Sequence, residues 1–233
     1  MNKKLILPIS LILLVGLVGF AYATMTPSVP LIEGNYNIEI SINKGWNLVP
    51  TTPILGIYQG DDYADDVISS DSTIKRDSLK AVYYYDRNRD KYLQVYPNAQ
   101  EFVDYENSLA QEDEAYYRIS SVWLYSDKEG VLKYSRVGVP KYNEVALEDG
   151  WNFLTIVPDM KGLRINDIKG SCDILKICDY ARQNWDCINK ENIGTHTFAD
   201  QDSDLGKGLL VKVSSDCALG TSTTGGVNPP ALP

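Results

Sequence analysis

The chain has 233 residues and is acidic, with 22 Lys and Arg against 31 Asp and Glu and a formal net charge of −9. This excess of acidic side chains argues against nucleic-acid binding, because such binding depends on the neutralisation of phosphates by basic side chains. The net negative charge fits a soluble protein whose copies repel one another. The chain has a single histidine, so the sequence offers only one imidazole for acid–base catalysis.

The first 23 residues have the pattern of a secretory signal peptide. Two lysines precede an apolar run over residues 5–20, and the segment ends in Ala21-Tyr22-Ala23, a small-x-small cleavage site. The alternative is an uncleaved membrane anchor, because a run of this length is near the minimum that spans a bilayer. Residues 24–35 contain two prolines and predict a short tether. In both cases we expect the remaining chain to be secreted or displayed at the cell surface.

The phrase Gly45-Trp46-Asn47 returns as Gly150-Trp151-Asn152, and this echo predicts that one module is used twice. The first copy is expected over residues 36–137 and the second over residues 138–219. Ahead of the first phrase, isoleucines alternate with polar residues as they do in a half-buried strand. Trp46 and Trp151 are predicted to occupy matching buried positions.

A second shared element is a strand, a polar turn and a return strand, which predicts a β-hairpin in each copy. The alignment of the two hairpins places Leu79 in register with Leu175. A short helix is expected between residues 98 and 111, with Asn98 as its cap, and a single helical turn at residues 165–168.

Each copy is predicted to close with an apolar, β-favouring strand, at residues 119–125 in the first and 206–213 in the second. The resulting fold class is mainly β, with two tandem small antiparallel β modules, sandwich or half-barrel like, related by internal duplication and carrying minor helix. Residues 220–233 are rich in Thr, Ser, Gly and Pro and predict a disordered tail or the stub of a linker.

All four cysteines lie in the second copy, and in an exported chain this even count predicts disulfides. Bound zinc and free thiols are the alternatives, but the chain has no Cys-x-x-Cys pair to favour zinc. Of the three possible connectivities, we expect Cys172 with Cys217, which joins the start of the module to its last strand. The second pair is then Cys178 with Cys187, across the hairpin.

Asp200, Asp202 and Asp204 alternate in an acidic run that resembles the first half of a calcium-binding loop. The rest of an EF-hand does not follow, since Val211 stands where the bidentate Glu belongs. Calcium is one interpretation and a plain acidic turn is the other, and no other cofactor is predicted.

Aromatic residues form the other candidate site, in a chain with 16 tyrosines. Tyr83 and Tyr85 share one strand face, with Tyr92 and Tyr96 on the return strand. Exposed aromatic rings stack on sugars and form adhesive interfaces, although the same residues also fill β-sheet cores. The cluster is therefore a candidate surface for a polysaccharide or for another cell-surface protein.

The pairing of a Gly-Trp-Asn strand with a Gly-Lys-Gly closing strand at residues 206–208, in tandem, resembles modules of many uncharacterised proteins. These are secreted or surface-layer-associated proteins of archaea and bacteria. The resemblance covers roughly residues 36–217. The first copy departs from the pattern, with Ile119-Ser120-Ser121 in place of Gly-Lys-Gly. The resemblance implies an extracellular β module and implies no activity.

No catalytic residue is predicted. The chain has no Gly-x-Ser-x-Gly nucleophile pattern, and its carboxylates occur in polar runs rather than in apolar strands. We therefore expect a non-catalytic exported binding or interaction protein. The alternative is a secreted polysaccharide-directed hydrolase or its ancillary carbohydrate-binding module. An enzyme of this kind would need carboxylates about 5 to 9.5 Å apart in a pocket.

Overall fold

Antiparallel strand pairing dominates the structure, a computed structural model that describes residues 31–51, 71–109, 116–143, 145–197 and 201–220. The strands of the first module are β1 (Leu31–Ile42), β2 (Gly45–Pro50), β3 (Leu79–Asp86), β4 (Lys91–Tyr96), β5 (Ser121–Ser126) and β6 (Gly130–Pro140). Those of the second are β7 (Ala146–Leu147), β8 (Gly150–Thr155), β9 (Ile174–Ala181), β10 (Asn184–Asn189), β11 (Gly208–Val213) and β12 (Cys217–Ala218). The helices described from end to end are α1 (Gln100–Glu106), α2 (Ile165–Ile168) and α3 (Lys190–Ile193).

The two modules share one topology, which confirms the predicted mainly β fold and the internal duplication. The first module forms an antiparallel sheet in the order β2-β5-β3-β4, and the second forms one in the equivalent order β8-β11-β9-β10. In each module the first and last strands pair separately, β1 with β6 and β7 with β12. A helix follows each hairpin, α1 in the first module and α3 in the second.

Several predicted boundaries differ from those of the structure. Strand β1 begins at Leu31, inside the predicted tether, and β6 runs to Pro140, beyond the predicted module boundary at 137. The predicted closing strand, β5, lies in the middle of its sheet, and β6 follows it as the last strand. Strand β6 was missed although buried Leu132 and Tyr134 alternate with more accessible neighbours. The helix expected between 98 and 111 is present as α1 over Gln100–Glu106, but its N-cap is Ala99 and not Asn98. The Asn98 side chain lies one residue earlier and accepts the Gln100 N–H at 3.3 Å.

The predicted alignment of the two hairpins is wrong by one residue. In the first sheet, Ser126 of β5 pairs with Gly45 of the Gly-Trp-Asn strand on one side and with Leu79 of the hairpin on the other. In the second sheet, Val213 of β11 pairs in the same way with Gly150 and Ile174. Leu79 therefore corresponds to Ile174 and not to Leu175. Leu175 is the extra residue of a β-bulge, and Lys80 has the same place in β3.

The asparagine of Gly-Trp-Asn holds the turn that leads into its strand. The Asn47 side chain accepts the Asn43 N–H at 2.8 Å and donates to the carbonyl oxygens of Asn43 at 2.8 Å and Gly45 at 3.0 Å. Asn152 repeats the two bonds to Glu148, at 3.1 and 2.8 Å, and donates to the carbonyl two residues before it at 3.4 Å. Both asparagines are buried. The phrase recurs because this turn needs a buried amide with both a donor and an acceptor.

Three apolar clusters organise the packing. One belongs to the first module, one is centred on the second, and a third joins the two. The third contains the buried residues Leu48, Phe153, Cys178 and Leu210, which lie on the facing sides of the two four-stranded sheets. Gly208 permits the close approach, because a Cβ at that position would lie 2.4 Å from Cγ of Leu48. The two sheets therefore pack face to face.

The hairpin turn of each module reaches the turn that precedes the Gly-Trp-Asn strand of the other module. Arg87, between β3 and β4, donates from Nη1 to the Ala146 carbonyl at 2.7 Å and pairs through Nε with Glu148 at 3.2 Å. Gln183, between β9 and β10, donates from Nε2 to the Lys44 carbonyl. Because these contacts are reciprocal, the modules face each other across an approximate two-fold relation.

Candidate binding cleft

An aromatic cleft of about 490 Å³ lies between the two modules. Six residues line it, namely Trp46, Tyr83, Tyr92 and Trp123 from the first module and Tyr180 and Trp185 from the second. A cleft of this volume falls in the range of small-ligand sites, which are mostly apolar and often lie at domain interfaces. These six residues are called the aromatic cleft below.

Three neighbouring strands of the first sheet supply one wall of the cleft. Trp46 lies on β2, Trp123 on β5 and Tyr83 on β3, and Trp123 pairs directly with Tyr83. The Trp46 ring centroid lies 6.0 Å from that of Tyr83 and 6.3 Å from that of Trp123. Successive residues of a strand point to opposite faces, so the neighbours Val82 and Leu124 enter the core of the first module. The cleft therefore occupies the face of the sheet that turns away from that core.

The hairpin of the second module supplies the other wall. Tyr180 and Trp185 pair directly across β9 and β10, with their ring centroids 5.0 Å apart. Trp123 lies 4.9 Å from Tyr180 at an interplanar angle of 86° and 5.6 Å from Trp185 at 84°. The rings thus meet edge to face, an arrangement that the quadrupoles of aromatic rings favour. This hairpin is fixed against the first sheet by aromatic contacts.

Two rings of the cleft are open to solvent. Tyr92 is 51% exposed and Trp185 is 46% exposed, whereas the other four lining residues are half-buried. Tyr92 pairs with Tyr85 as Trp185 pairs with Tyr180, so the two exposed rings hold equivalent positions in the two hairpins. Each module therefore presents one aromatic ring to solvent at the same point of its sheet.

The polar groups of the cleft are phenol hydroxyls and indole N–H groups, and its six side chains include no Asp, Glu, Lys, Arg or His. The Tyr83 hydroxyl accepts a hydrogen bond from Gln94 Nε2 at 3.3 Å. Beside the cleft, the Tyr85 hydroxyl donates to Asp90 at 2.5 Å. Desolvation, together with this hydrogen bond, raises the pKa of Tyr85 above its ordinary value. The site can stack, pack and donate hydrogen bonds, but its lining side chains bring no ion pair.

The predicted aromatic surface is partly reproduced. Tyr83 and Tyr92 line the cleft, and Tyr85 lies beside it with its ring 4.8 Å from that of Phe153. Tyr96 instead packs against the core of the first module. The reason is a bulge in β4, since Tyr96 pairs with Val82 while Gln94 pairs with Tyr83. The extra residue between them reverses the face that Tyr96 would otherwise share with Tyr92.

The two tryptophans of the repeat hold matching strand positions, but neither is buried in the core of its module as predicted. Trp46 pairs with Tyr125 and Trp151 pairs with Lys212 at the same point of the two sheets, and both indoles are half-buried. The Lys212 ammonium lies 5.7 Å from the Trp151 ring centroid. Both rings lie on the face that is directed towards the partner module, so burial there depends on how closely the modules meet.

Three cleft residues were not singled out from the sequence, namely Trp123, Tyr180 and Trp185. Trp123 lies in the predicted closing strand, where an apolar residue is expected and nothing sets it apart from its neighbours. Tyr180 and Trp185 flank the second hairpin turn, Arg182–Gln183, whose two residues have positive φ. A hairpin with this two-residue turn pairs the two aromatics directly, and that spacing was the available signal.

The predicted disulfides are confirmed. Cys172 is bonded to Cys217 with a Cα–Cα distance of 5.0 Å, and Cys178 is bonded to Cys187 with a Cα–Cα distance of 4.1 Å. Cys178 and Cys187 pair directly across β9 and β10. Two such bonds point to an oxidising environment, as found outside the cytoplasm.

The aspartates of the predicted calcium loop are engaged with lysines where the structure describes them. Asp202 is bonded to Lys161, and Asp204 accepts from Lys207 at 2.6 Å. Asp200 lies outside the described residues. Within the described ranges, no group of three or more His, Cys, Asp or Glu side chains is arranged to hold a metal ion.

Comparisons with known proteins returned no match. No family model, no curated protein and no solved structure matches this chain. Among the described residues there is no helix long and apolar enough to cross a membrane. The predicted signal peptide or anchor at residues 1–23 lies outside the described residues, as does the predicted tail at 220–233 after its first residue. That residue, Gly220, donates its N–H to the Ile168 carbonyl at 3.0 Å and so still belongs to the fold.

Proposed function

We propose that this protein is a non-catalytic, exported binding protein and that the aromatic cleft is its ligand-binding surface. The observation that carries the proposal is the position of Tyr92 and Trp185, two half-exposed rings at either side of a cleft between modules. Tryptophan and tyrosine are the residues that most often dominate binding energy at interfaces. Such residues supply a large contact area with little loss of conformational entropy.

Packing alone accounts poorly for the two exposed rings. A core aromatic is stabilised by removal from water, at about 25 cal/mol for each Å² of apolar surface. Trp185 leaves nearly half of its surface, 46%, in water. The remaining half holds the hairpin against Trp123, and the open half gives the cleft an apolar ring that a ligand can cover.

Export is supported by the disulfides and by the N-terminal sequence. The two disulfide bonds fit an oxidising compartment. The lysines, apolar run and Ala21-Tyr22-Ala23 sequence at the N-terminus fit a secretory signal. The same features, with the tandem Gly-Trp-Asn modules, support the likeness to secreted and surface-layer-associated proteins. We therefore place the cleft outside the cytoplasm, on a secreted or surface-held protein.

The non-catalytic part of the proposal follows from the chemistry of the lining. Acid–base or nucleophilic catalysis needs a group that exchanges a proton or attacks near neutral pH. The six lining side chains are Trp and Tyr, and none carries a carboxyl, imidazole, thiol or amine group. Stacking and hydrogen bonding are what these groups do well.

The proposal is tested by titrating the secreted chain with candidate ligands while tryptophan fluorescence is followed. The panel contains neutral oligosaccharides and uncharged peptides. We expect at least one class to change the emission and saturate, and Trp185→Ala to weaken that binding about tenfold. The control is Trp151→Phe, at the repeat position outside the cleft, which should bind as the parent does.

Two results would contradict the proposal. The first is binding that is unchanged in Trp185→Ala and Tyr92→Ala, which would move the ligand to another surface. The second is release of reducing ends from the oligosaccharides during the titration, which would favour the hydrolase alternative. Circular dichroism of each variant confirms that the fold is retained.

A further inference from the structure

We infer that the ligand of the aromatic cleft is a proline-rich segment in extended form, and that this chain carries such a segment itself at residues 227–233. The inference rests on the proposed function of the cleft. The segment reads Val-Asn-Pro-Pro-Ala-Leu-Pro, with Pro229, Pro230 and Pro233. It lies outside the described residues.

Ring geometry favours prolines over a sugar chain. A sugar stacks flat on the open face of an aromatic ring, so an extended glycan needs a row of roughly coplanar rings. In this cleft Trp123 stands nearly at right angles to its neighbours, with interplanar angles of 81° to Trp46 and 84° to Trp185. The other contacting rings are tilted, by 54° between Trp46 and Tyr83 and by 67° between Tyr180 and Trp185, so these contacting rings are not coplanar. Perpendicular rings enclose slots rather than a platform. Aromatic-lined grooves of this kind are the docking sites of Pro-x-x-Pro segments.

The hydrogen-bond donors of the cleft also complement the acceptors of a proline-rich segment. A polyproline II segment has no internal hydrogen bonds, so its carbonyl oxygens remain free to accept. The cleft offers donors from the tyrosine hydroxyls and the tryptophan indoles. Prolines bring no N–H of their own and need no acceptor. Three residues of such a segment span about 9 Å, a length suited to a short cleft.

The absence of charged side chains distinguishes this segment from the rest of an acidic chain. The protein has a formal net charge of −9, and most of its polar stretches carry Asp or Glu. Residues 221–233 contain no charged side chain, and neither does the lining of the cleft. The proline-rich segment therefore approaches the cleft without charge repulsion and without desolvating an ion. Its fixed proline dihedrals also reduce the conformational entropy lost on binding.

The test uses the full chain with Pro229→Ala, Pro230→Ala and Pro233→Ala, so that its own segment does not compete. An acetylated peptide of residues 227–233 is titrated into this variant and followed by tryptophan fluorescence and by calorimetry. We expect saturable binding that Trp185→Ala weakens about tenfold. A peptide with alanine at the three proline positions is the matched control, and we expect its affinity to be at least tenfold lower.

The outcomes separate this inference from the proposed function. If an oligosaccharide binds the cleft and the proline peptide does not, the inference fails and the proposed function stands. If neither ligand binds, both fail. If both peptides bind equally, the cleft recognises general apolar character and the inference fails. Trp185 also packs on Trp123, so circular dichroism must show that Trp185→Ala keeps the fold, and Tyr92→Ala, which removes the more exposed ring, gives a second readout on the opposite wall.

Discussion

The hairpin of the first module is covered by a helix, whereas the hairpin of the second is open to solvent. In the first module Tyr84 and Leu93 are buried, and the Tyr84 ring lies 5.5 Å from that of Phe102 on α1. The corresponding residues of the second module are Asp179 and Asp186, and both are exposed. Helix α3, which follows the second hairpin, has four residues against seven in α1. The same strand pairing is therefore supported in two different ways.

A disulfide stands in the open hairpin where the covered one has an ordinary side-chain contact. Tyr83 and Gln94 pair across β3 and β4, and the equivalent pair across β9 and β10 is Cys178 with Cys187. The two modules therefore keep one topology, but the first hairpin is stabilised by apolar contacts with α1 and the second by a disulfide. Where apolar cover is absent, a cross-link that restricts the unfolded chain replaces it.

The largest expected effect comes from removing the cover of the first hairpin. Phe102→Ala deletes a buried ring that packs on Tyr84, and we expect the free energy of unfolding to fall by about 3–5 kcal/mol. Urea unfolding at neutral pH measures this change. Val103→Ala, at a 40% exposed position of the same helix, is the control and should change stability little. Equal losses in both variants would mean that α1 does not act through apolar cover.

Opening the disulfides should destabilise the second module according to the length of chain that each one closes. The Cys172–Cys217 bond spans 45 residues and the Cys178–Cys187 bond spans 9. The chain-entropy relation then gives about 4 kcal/mol for the longer loop and about 2.6 kcal/mol for the shorter. Paired Cys→Ala variants measured by urea unfolding check both values. A larger loss for Cys178→Ala with Cys187→Ala would show that the open hairpin depends on its cross-link through native packing.

The buried asparagines should have similar effects in both modules, because their hydrogen bonds are the same. Asn47→Ala and Asn152→Ala each leave backbone groups of the turn without partners, and we expect a loss of about 1–3 kcal/mol in each. Thermal unfolding provides the measurement. Asn189→Ala is the control, since Asn189 is exposed and makes no side-chain cap bond. A clear difference between the first two variants would contradict the equivalence of the turns.

The smallest effect concerns pH and the open hairpin. Asp179 is exposed, but part of its carboxyl environment is still removed from water. This partial desolvation, and then the neighbouring Asp186, raise the pKa of Asp179 above its ordinary value of 3.8. A raised carboxyl pKa means that the charged form disfavours folding at neutral pH and that this penalty disappears as the pH falls through the folded-state pKa. We expect Asp179→Asn to raise the melting temperature at pH 7, with the difference vanishing near about pH 3.

Asp173→Asn provides a control of opposite sign. A bond from Lys190, and then one from Ser214, lower the pKa of Asp173 below 3.8. Its charged form therefore favours folding above the unfolded-state pKa, and that contribution is lost as the pH falls through the folded-state value. Asp173→Asn should lower the melting temperature at pH 7 and have no effect in strong acid. Parallel shifts in the two variants would overturn the assignment of these opposing charge effects.

Local patterns in the sequence predicted the repeated strands and the disulfides well. Gly-Trp-Asn marks the same turn twice because the turn depends on a single residue, Asn47 or Asn152, and on local bonds. The cysteine pairs followed from the compartment and from the position of Cys178 and Cys187 on either side of one turn. For the turn and for the Cys178–Cys187 pair, the cause lies within about ten residues of its effect. The Cys172–Cys217 pair, 45 residues apart, is then the pair that remains.

Features that depend on strand register or on distant contacts were not predictable in this way. The match of Leu79 with Ile174 depends on how each strand pairs with its neighbour in the sheet, and the sequence pattern alone does not fix this register. The bulge before Tyr96 turns that side chain into the core, and a bulge has no strong residue signature that alternation could reveal. The cleft needs Trp123 to meet Trp185 from the other module, 62 positions away in the chain by residue number. That contact exists only after both sheets have formed and docked.

The reciprocal contacts of Arg87 and Gln183 bear on how the duplicated chain arose. An isologous dimer buries the same surface patch on both subunits, so each contact occurs twice about its axis. The hairpin-to-turn contacts of the two modules are related in this general way, although they use different residues, and Leu48 and Phe153 hold equivalent places in the shared cluster. An arrangement of this kind is what the fusion of two copies of a two-fold homodimer would produce. The two halves now differ at the cleft, because Cys178 and Leu210 stand in the second sheet where Tyr83 and Trp123 stand in the first.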